Sequence, residues 1–312
     1  MLKFGLAGCG HIAKKHFSAL EEIDQAGLVA VCDSDLQRLA PFKSHSDLAI
    51  YDDYEEFLQD TNIEAVIITT PSGLHASMGE KAARADKHIL MEKPFVLNLN
   101  EGANLVKLCQ REGVKLAVVH PNRFKPAVQA LFNAVSQGWF GTITHASAVL
   151  RWHRSQEYFQ AAPWRGTREM DGGILFNQAI HNLDLFNWLA GPVEEVFAYG
   201  ATRVHQIQCE DVCTCALKLK GGGLGVVEAA ITIYPENLEE SLALFGSQGT
   251  VVLGGRSLAK IKEWKFSCLT PNQAEKQAEL LNKAPAAQGH REVIADFTDA
   301  VLNDREPMVS GL

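Results

Sequence analysis

Short apolar runs alternate with amphipathic stretches through the first 120 residues. Residues 2–8 (LKFGLAG) read as a short buried strand and 12–22 (IAKKHFSALEE) as a helix. LVAVCD gives a second strand ending in Asp33, and EAVIITTPSGLH (64–75) a third that ends in a Thr-Pro-Ser turn. A helix over 76–85, the strand HILMEKP (88–94), a helix opened by the capping-box pair Asn98 and Glu101, and the strand KLAVVH (115–120) follow. Strands alternating with helices predict a parallel, doubly wound sheet with ligands at the strand C-terminal ends. From about residue 195 the pattern changes to period two, in VEEVFAYGATRV, DVCTCALKLK, LGVVEAAITI, ESLALFG and TVVLGG. The Gly221-Gly222-Gly223 turn between two of these runs predicts a hairpin, and the set predicts an open, largely antiparallel sheet. Residues 290–302 (HREVIADFTDAVL) read as an amphipathic, structural helix.

At 312 residues the chain predicts two domains. The change of pattern places them at 1–121 and 122–312, an α/β unit followed by an α+β unit. A net charge of -8 excludes a nucleic-acid partner, whose phosphates demand a basic face. No run reaches the eighteen apolar residues of a membrane span, and the N-terminal apolar stretch is too short for a signal segment. A cytoplasmic protein is expected. The seven cysteines fit reduced thiols: Cys213 and Cys215 fall on one face of a strand, and neither they nor Cys209 acquire the partners of a tetrahedral site. No metal is predicted.

The first strand–helix junction carries Gly8-Cys9-Gly10-His11-Ile12-Ala13, a G-x-G-x-x-A turn. Gly8 permits the tight turn, Gly10 lets backbone approach a pyrophosphate, and the helix N-terminus offers amides to the phosphates. Asp33, twenty-three residues after Gly10 and followed by Ser34, stands where a carboxylate binds ribose hydroxyls. Together these predict a dinucleotide-binding Rossmann domain. The Asp33 carboxylate repels a 2′-phosphate, so NAD is favoured over NADP; Arg38 would soften that preference but reads as a solvated helix residue. Thr70, Pro71, Ser72, His75, Glu92, Lys93, Pro94 and Asn122 fall at or just past strand C-terminal ends, on one rim.

In the second half, Asp171-Gly172-Gly173 precedes a predicted helix with Asn177, His181, Asp184 and Trp188 on one face, next to Gln178. Oxidising a secondary alcohol needs a base for the hydroxyl proton, and histidine, with a free pKa of about 6.5, suits this role. Asp184 would orient the His181 ring. Lys93 reads either as the base or as a cationic donor to the developing oxyanion, and the sequence leaves both open. Arg123, Arg151, Arg154, Gln156 and Tyr158 are further ligand candidates.

The GCGHIA turn, TTPSGLH, EKP (92–94) and GGILFNQAIHNLDLFNWLAG (172–191) resemble the Gfo/Idh/MocA oxidoreductase family over essentially the whole chain. The resemblance implies that Lys93 lies near the nicotinamide and the reacting hydroxyl, that His181 is the acid/base, and that Trp164 and Arg165 reach cofactor or substrate. It also implies a homodimer or homotetramer built on the free face of the second sheet. RWHRSQEYFQAAPWRGT (151–167), FNQAIHNLDL and IYPENLEESLALFGSQGTVVLGG (233–255) resemble the UDP-N-acetyl-2-amino-2-deoxyglucuronate dehydrogenases of that family. The implied activity is NAD-dependent oxidation of a sugar 3-hydroxyl in surface-polysaccharide biosynthesis. Two other readings are a dehydrogenase of free sugars or inositols, and a catalytically silent NAD-binding regulator. Asn177 departs from the Asp that many members carry, and the sequence stops at PMVSGL where many continue into a final helix.

Overall fold

The computed structural model describes residues 1–285 and 287–311, which form two compact units, Met1–Pro121 with Gln288–Leu312, and Asn122–Ala287. The second unit ends at Ala287, short of the 122–312 expected of the second domain: Gln288–Leu312 belong with the first unit.

The first unit carries six parallel strands, β1 (Leu2–Ala7), β2 (Ala26–Cys32), β3 (Ala49–Tyr51), β4 (Ala65–Ile68), β5 (His88–Met91) and β6 (Leu116–Val118). Their order is β3-β2-β1-β4-β5-β6, so the winding reverses between β1 and β4. Every residue of β4 is buried, as expected of a strand covered on both faces. The covering helices are α1 (Ala13–Leu20), α2 (Leu36–Leu39), α3 (Tyr54–Gln59), α4 (His75–Arg84) and α5 (Leu99–Glu112), with the Asn98 side chain accepting from the amides of Asn100 and Glu101 at the start of α5.

In the second unit a seven-stranded sheet contains β7 (Ile143–Arg151), β8 (Val193–Ala201), β9 (Val212–Leu219), β10 (Leu224–Ala230), β11 (Glu239–Gly246), β12 (Gly249–Gly254) and β13 (Lys260–Phe266). The order is β13-β12-β11-β7-β10-β9-β8, antiparallel except where β10 runs parallel to β7. The unit's helices are α6 (Pro126–Ser136), α7 (Gln156–Gln160), α8 (Ile174–Asn177), α9 (Ile180–Ala190) and α10 (Pro271–Lys283). Leu185, Phe186 and Leu189 of α9 share a core with Ala146, Ala148 and Leu150 of β7, which seats α9 on one face of the sheet. On the opposite face Phe197, Ala216 and Val226 form one cross-strand row and Tyr199, Thr214 and Glu228 the next. Phe197, Tyr199 and Val226 are more than half exposed there.

The last helix, α11 (His290–Leu302), packs on α1, β1 and β5 in the first unit. Phe297 is fully buried against Phe4, with ring centroids 6.1 Å apart. After it, Val118 N–H donates to Val309 O and Gly311 N–H to Leu116 O, so residues 309–311 run alongside β6. Among the described residues no helix is long and apolar enough to cross a membrane.

Candidate functional site

The glycine turn sits at the C-terminal end of β1, at the point where the winding reverses. Gly8 has a φ of 99°, and a Cβ there would lie 2.8 Å from the carbonyl carbon of Thr69, so both conformation and space demand glycine. Thr69 secures this approach: its hydroxyl donates to the carbonyls of Ala7 and Gly8. Gly10 is different. A Cβ at Gly10 would meet no described atom within 4 Å, so no neighbour in the fold requires glycine there. Open backbone at the head of α1 fits a dinucleotide pyrophosphate, with His11 exposed and Ile12 half-buried beside it.

Asp33, at the end of β2, is buried and accepts from the Cys9 amide at 2.8 Å and the Asp35 amide at 2.9 Å. Its carboxylate thus braces the glycine turn. Arg38, read from the sequence as a solvated helix residue, lies 3.8 Å from Asp33 and 3.3 Å from Asp35. Ser34 is exposed, Thr70 and Pro71 half-buried, and Ser72 buried.

Two rim residues turn inward. His75 is buried, its Nδ1 2.7 Å from Pro94 O and its Nε2 3.0 Å from Thr70 O, so it pins two strand-end loops together. Burial pushes its imidazole below the ordinary histidine range, against the pull of those carbonyls. Glu92 is also buried, with Oε1 2.8 Å from His16 Nε2 and 3.4 Å from His290 Nε2, while Oε2 accepts from the Lys93 amide at 3.0 Å. Burial opposes its charge, and hydrogen bonds from the two histidines outweigh that, holding the carboxyl well below its usual range. Lys93 itself is half-buried and is followed by a cis peptide to Pro94.

In the second unit the helix read as continuous from Asn177 to Trp188 is broken. α8 ends at Asn177 and α9 begins at Ile180, so Asn177 and His181 belong to different helices. Asn177 donates to Asp171, whose other oxygen accepts from Gly166 N–H at 2.8 Å, tying the Trp164–Gly166 loop to α8. His181 and Asp184 lie half-buried on α9. Asp184 is engaged by Arg123, which donates to both its oxygens at 2.6 and 2.9 Å and lies 4.8 Å over the Trp188 ring. Asn122 stands beside Arg123 in the short helical turn before α6, its carbonyl accepting from Lys125 N–H.

Two arginines gather around Tyr158. The Arg165 guanidinium lies 4.3 Å over its ring and Arg154 5.3 Å over it, with Arg154 also donating to Gln178 Oε1 at 2.8 Å. Gln178 completes the cluster by donating to the Tyr158 hydroxyl. The Nε atoms of both arginines are buried without a partner, and no carboxylate pairs with either arginine among the described residues. Behind them, His205 Nε2 lies 2.8 Å from Arg154 O, and Asp211 accepts from His205 Nδ1 and three consecutive amides, 203–205. Arg151, by contrast, is bound by Glu228 and Glu239. Gln156 accepts from the Gln206 amide.

Residues 2–120 match the model of an oxidoreductase family with an NAD-binding Rossmann fold, GFO_IDH_MocA, and 128–252 match the C-terminal domain of the same family. The chain belongs to the Gfo/Idh/MocA oxidoreductase family. A solved structure of the WlbA dehydrogenase from Bordetella pertussis, in complex with NADH and UDP-GlcNAcA, is 36% identical, with a TM-score of 0.92 over 99% of this chain and 90% of that one. A D-apiose dehydrogenase of Paraburkholderia graminis is 31% identical over 80% of this chain and 67% of its own length. A myo-inositol 2-dehydrogenase of Thermotoga maritima is 30% identical, covering 80% and 74%.

Sequence reasoning missed several groups that shape this Gfo/Idh/MocA site. His16 shares a buried helix stripe with Ala13 and Leu20, where an imidazole among apolar positions was the available signal. Thr69 directly precedes the TPS turn. Asp211, His205 and His290 gave no local pattern. Cys213 and Cys215 are buried with sulfurs 3.7 Å apart, and burial pushes the Cys213 thiol up to about 12.

Proposed function

We propose that this protein is an NAD-dependent dehydrogenase of a sugar secondary hydroxyl, with an anionic nucleotide sugar of the UDP-N-acetylglucosaminuronate type as substrate. One observation carries the substrate class: Arg154 and Arg165 converge on Tyr158 with buried, unpartnered Nε atoms and no carboxylate of their own. A half-buried cation pair without protein counter-charge is suited to a uronate carboxylate or a diphosphate. The likeness to WlbA supports the same reading.

The glycine turn, Asp33 and the Thr70–Ser72 rim would hold NAD, with NAD favoured over NADP by the Asp33 carboxylate. Bound NAD supplies the hydride acceptor. In this reading His181 takes the hydroxyl proton as the carbinol C–H gives up its hydride and the C=O bond forms. Lys93 donates to the developing oxyanion. The exposed row of Phe197, Ala216 and Val226 is the surface proposed for a homodimer or homotetramer.

The test is NADH formation from UDP-N-acetylglucosaminuronate, with and without 2-oxoglutarate to recycle retained cofactor, in wild type, His181→Ala, Lys93→Met and Arg154→Ala. Turnover lost in the first two variants, with a raised KM in the third, is expected. Turnover of a free sugar or inositol in place of the nucleotide sugar would transfer the activity to the apiose- and inositol-dehydrogenase type. Silence toward all of them from protein that binds NAD would point to a regulator.

A further inference from the structure

The group His16, Glu92 and His290, the first two buried and the third half-buried, draws on three separate parts of the first unit: α1, the end of β5, and the first residue of α11. All three potential ligand atoms lie within 4.8 Å of one another, a donor set that suits a metal. The distances favour a hydrogen bond instead. His16 Nε2 and Glu92 Oε1 are 2.8 Å apart, whereas two ligands on a tetrahedral zinc stand about 3.4 Å apart. The His16 ring is fully buried, and burial holds it below the ordinary histidine range. A neutral ring with its proton on Nε2 therefore donates to the carboxylate, and His290 meets the same oxygen from the other side of an edge-to-face ring contact at 5.0 Å.

The second oxygen of Glu92 accepts the Lys93 amide. Glu92 N–H is itself fixed to Ile68 O on β4, so backbone and side chain of this residue are both anchored just before the lysine. We infer that His16 and His290 are positioning residues for Lys93: they hold the Glu92 carboxylate in the orientation in which its free oxygen takes the lysine amide. The last segment of the chain thus sets the lysine of the dinucleotide half. This rests on the role proposed for Lys93.

Lys93 can be observed without turnover by reductive ¹³C-methylation of the intact protein, with its dimethylamine resonance identified by its loss in Lys93→Arg. In His290→Ala this resonance and its titration move while NAD affinity is unchanged, and His290→Gln, which keeps an N–H donor, restores both. Glu92→Gln, which preserves shape, moves the signal as well and decides the matter if His290→Ala does not fold. With substrate, kcat in His290→Ala falls about tenfold to a hundredfold at constant KM. An unchanged Lys93 resonance in His290→Ala or in Glu92→Gln overturns the inference. Absence of turnover in the wild type with any sugar defeats the proposed function instead, and the resonance still reports on the lysine.

Discussion

Arg123 grips Asp184 with two parallel hydrogen bonds and lies over Trp188, one turn further along the same helix. The guanidinium was a candidate substrate ligand and the carboxylate a candidate partner of His181. Their mutual bidentate pairing fastens the turn before α6 to α9. Both side chains are less than one-fifth exposed. Removing either partner takes two charge-assisted hydrogen bonds from a mostly desolvated group, so Arg123→Ala and Asp184→Ala should each cost about 1–3 kcal/mol in urea unfolding of the second unit. NAD affinity should not change. Full stability in Arg123→Ala with a raised substrate KM would return Arg123 to the ligand set.

The two glycines of the turn should fail in different ways. Gly8→Ala forces an alanine into a left-handed conformation and against Thr69, and should destabilise the first unit by about 1–3 kcal/mol in thermal melts. Gly10→Ala meets no described atom within 4 Å and should keep its melting temperature. Its methyl group would stand where a pyrophosphate must approach, so calorimetry should show weakened NAD binding. Normal NAD affinity in folded Gly10→Ala would remove Gly10 from the cofactor site.

Titration pulls in opposite senses in the two units. Glu240 on β11 is buried, and burial raises its carboxyl to about 7, opposed by Lys125. Between the ordinary carboxyl range and about pH 7 the folded state binds more proton at this site than the unfolded chain, so its contribution falls as pH rises. Glu240→Gln should relieve up to about 3 kcal/mol above pH 7, with the gain gone near pH 4. His16 and His75 are shifted downward by burial, so below about pH 6.5 the unfolded chain binds more proton and the first unit loses stability. Hydrogen exchange at β4 and β5, followed as pH falls from 7 to about 5, should show accelerating opening. Flat protection across that range would mean that neither histidine is held neutral.

Phe197→Asp places a charge in the exposed cross-strand row of the second sheet. Light scattering should show the wild type as an oligomer and the variant as a smaller species, with secondary structure retained. A monomeric wild type would leave that face without its proposed partner.

Much of this architecture was legible because burial on both faces writes itself into parallel strands: β1 and β4 are apolar almost throughout. The glycine turn falls just past the end of β1 and EKP just past the end of β5. Direction was harder. Glu92 stands at a strand end like its neighbours, and no local pattern shows that its carboxylate turns toward two distant histidines. β7, at the centre of the second sheet, escaped notice because its buried positions are Ala146, Ala148 and Leu150, small residues that barely register as a period. β13 did so because the register shift opposite it breaks the alternation between Ile261 and Trp264. The interruption after Asn177 was hidden by helical spacing that continues through Gln178 and Ala179, although the Ala179 N–H reaches back five residues to Ile174 O in place of the α-helical partner.

Because α11 and the segment beside β6 belong with the first 121 residues, the second unit is an insertion in the sequence of the first. A nascent chain therefore emerges with its glycine turn and lysine already made, yet completes their surroundings last, after some 166 intervening residues, 122–287, have been synthesised. Domains generally fold as units as they appear, so the inserted unit has the earlier opportunity to finish. Maturation of the cofactor half waits on synthesis of the inserted unit: a ribosome halted before codon 290 leaves Glu92 without one of its two histidines.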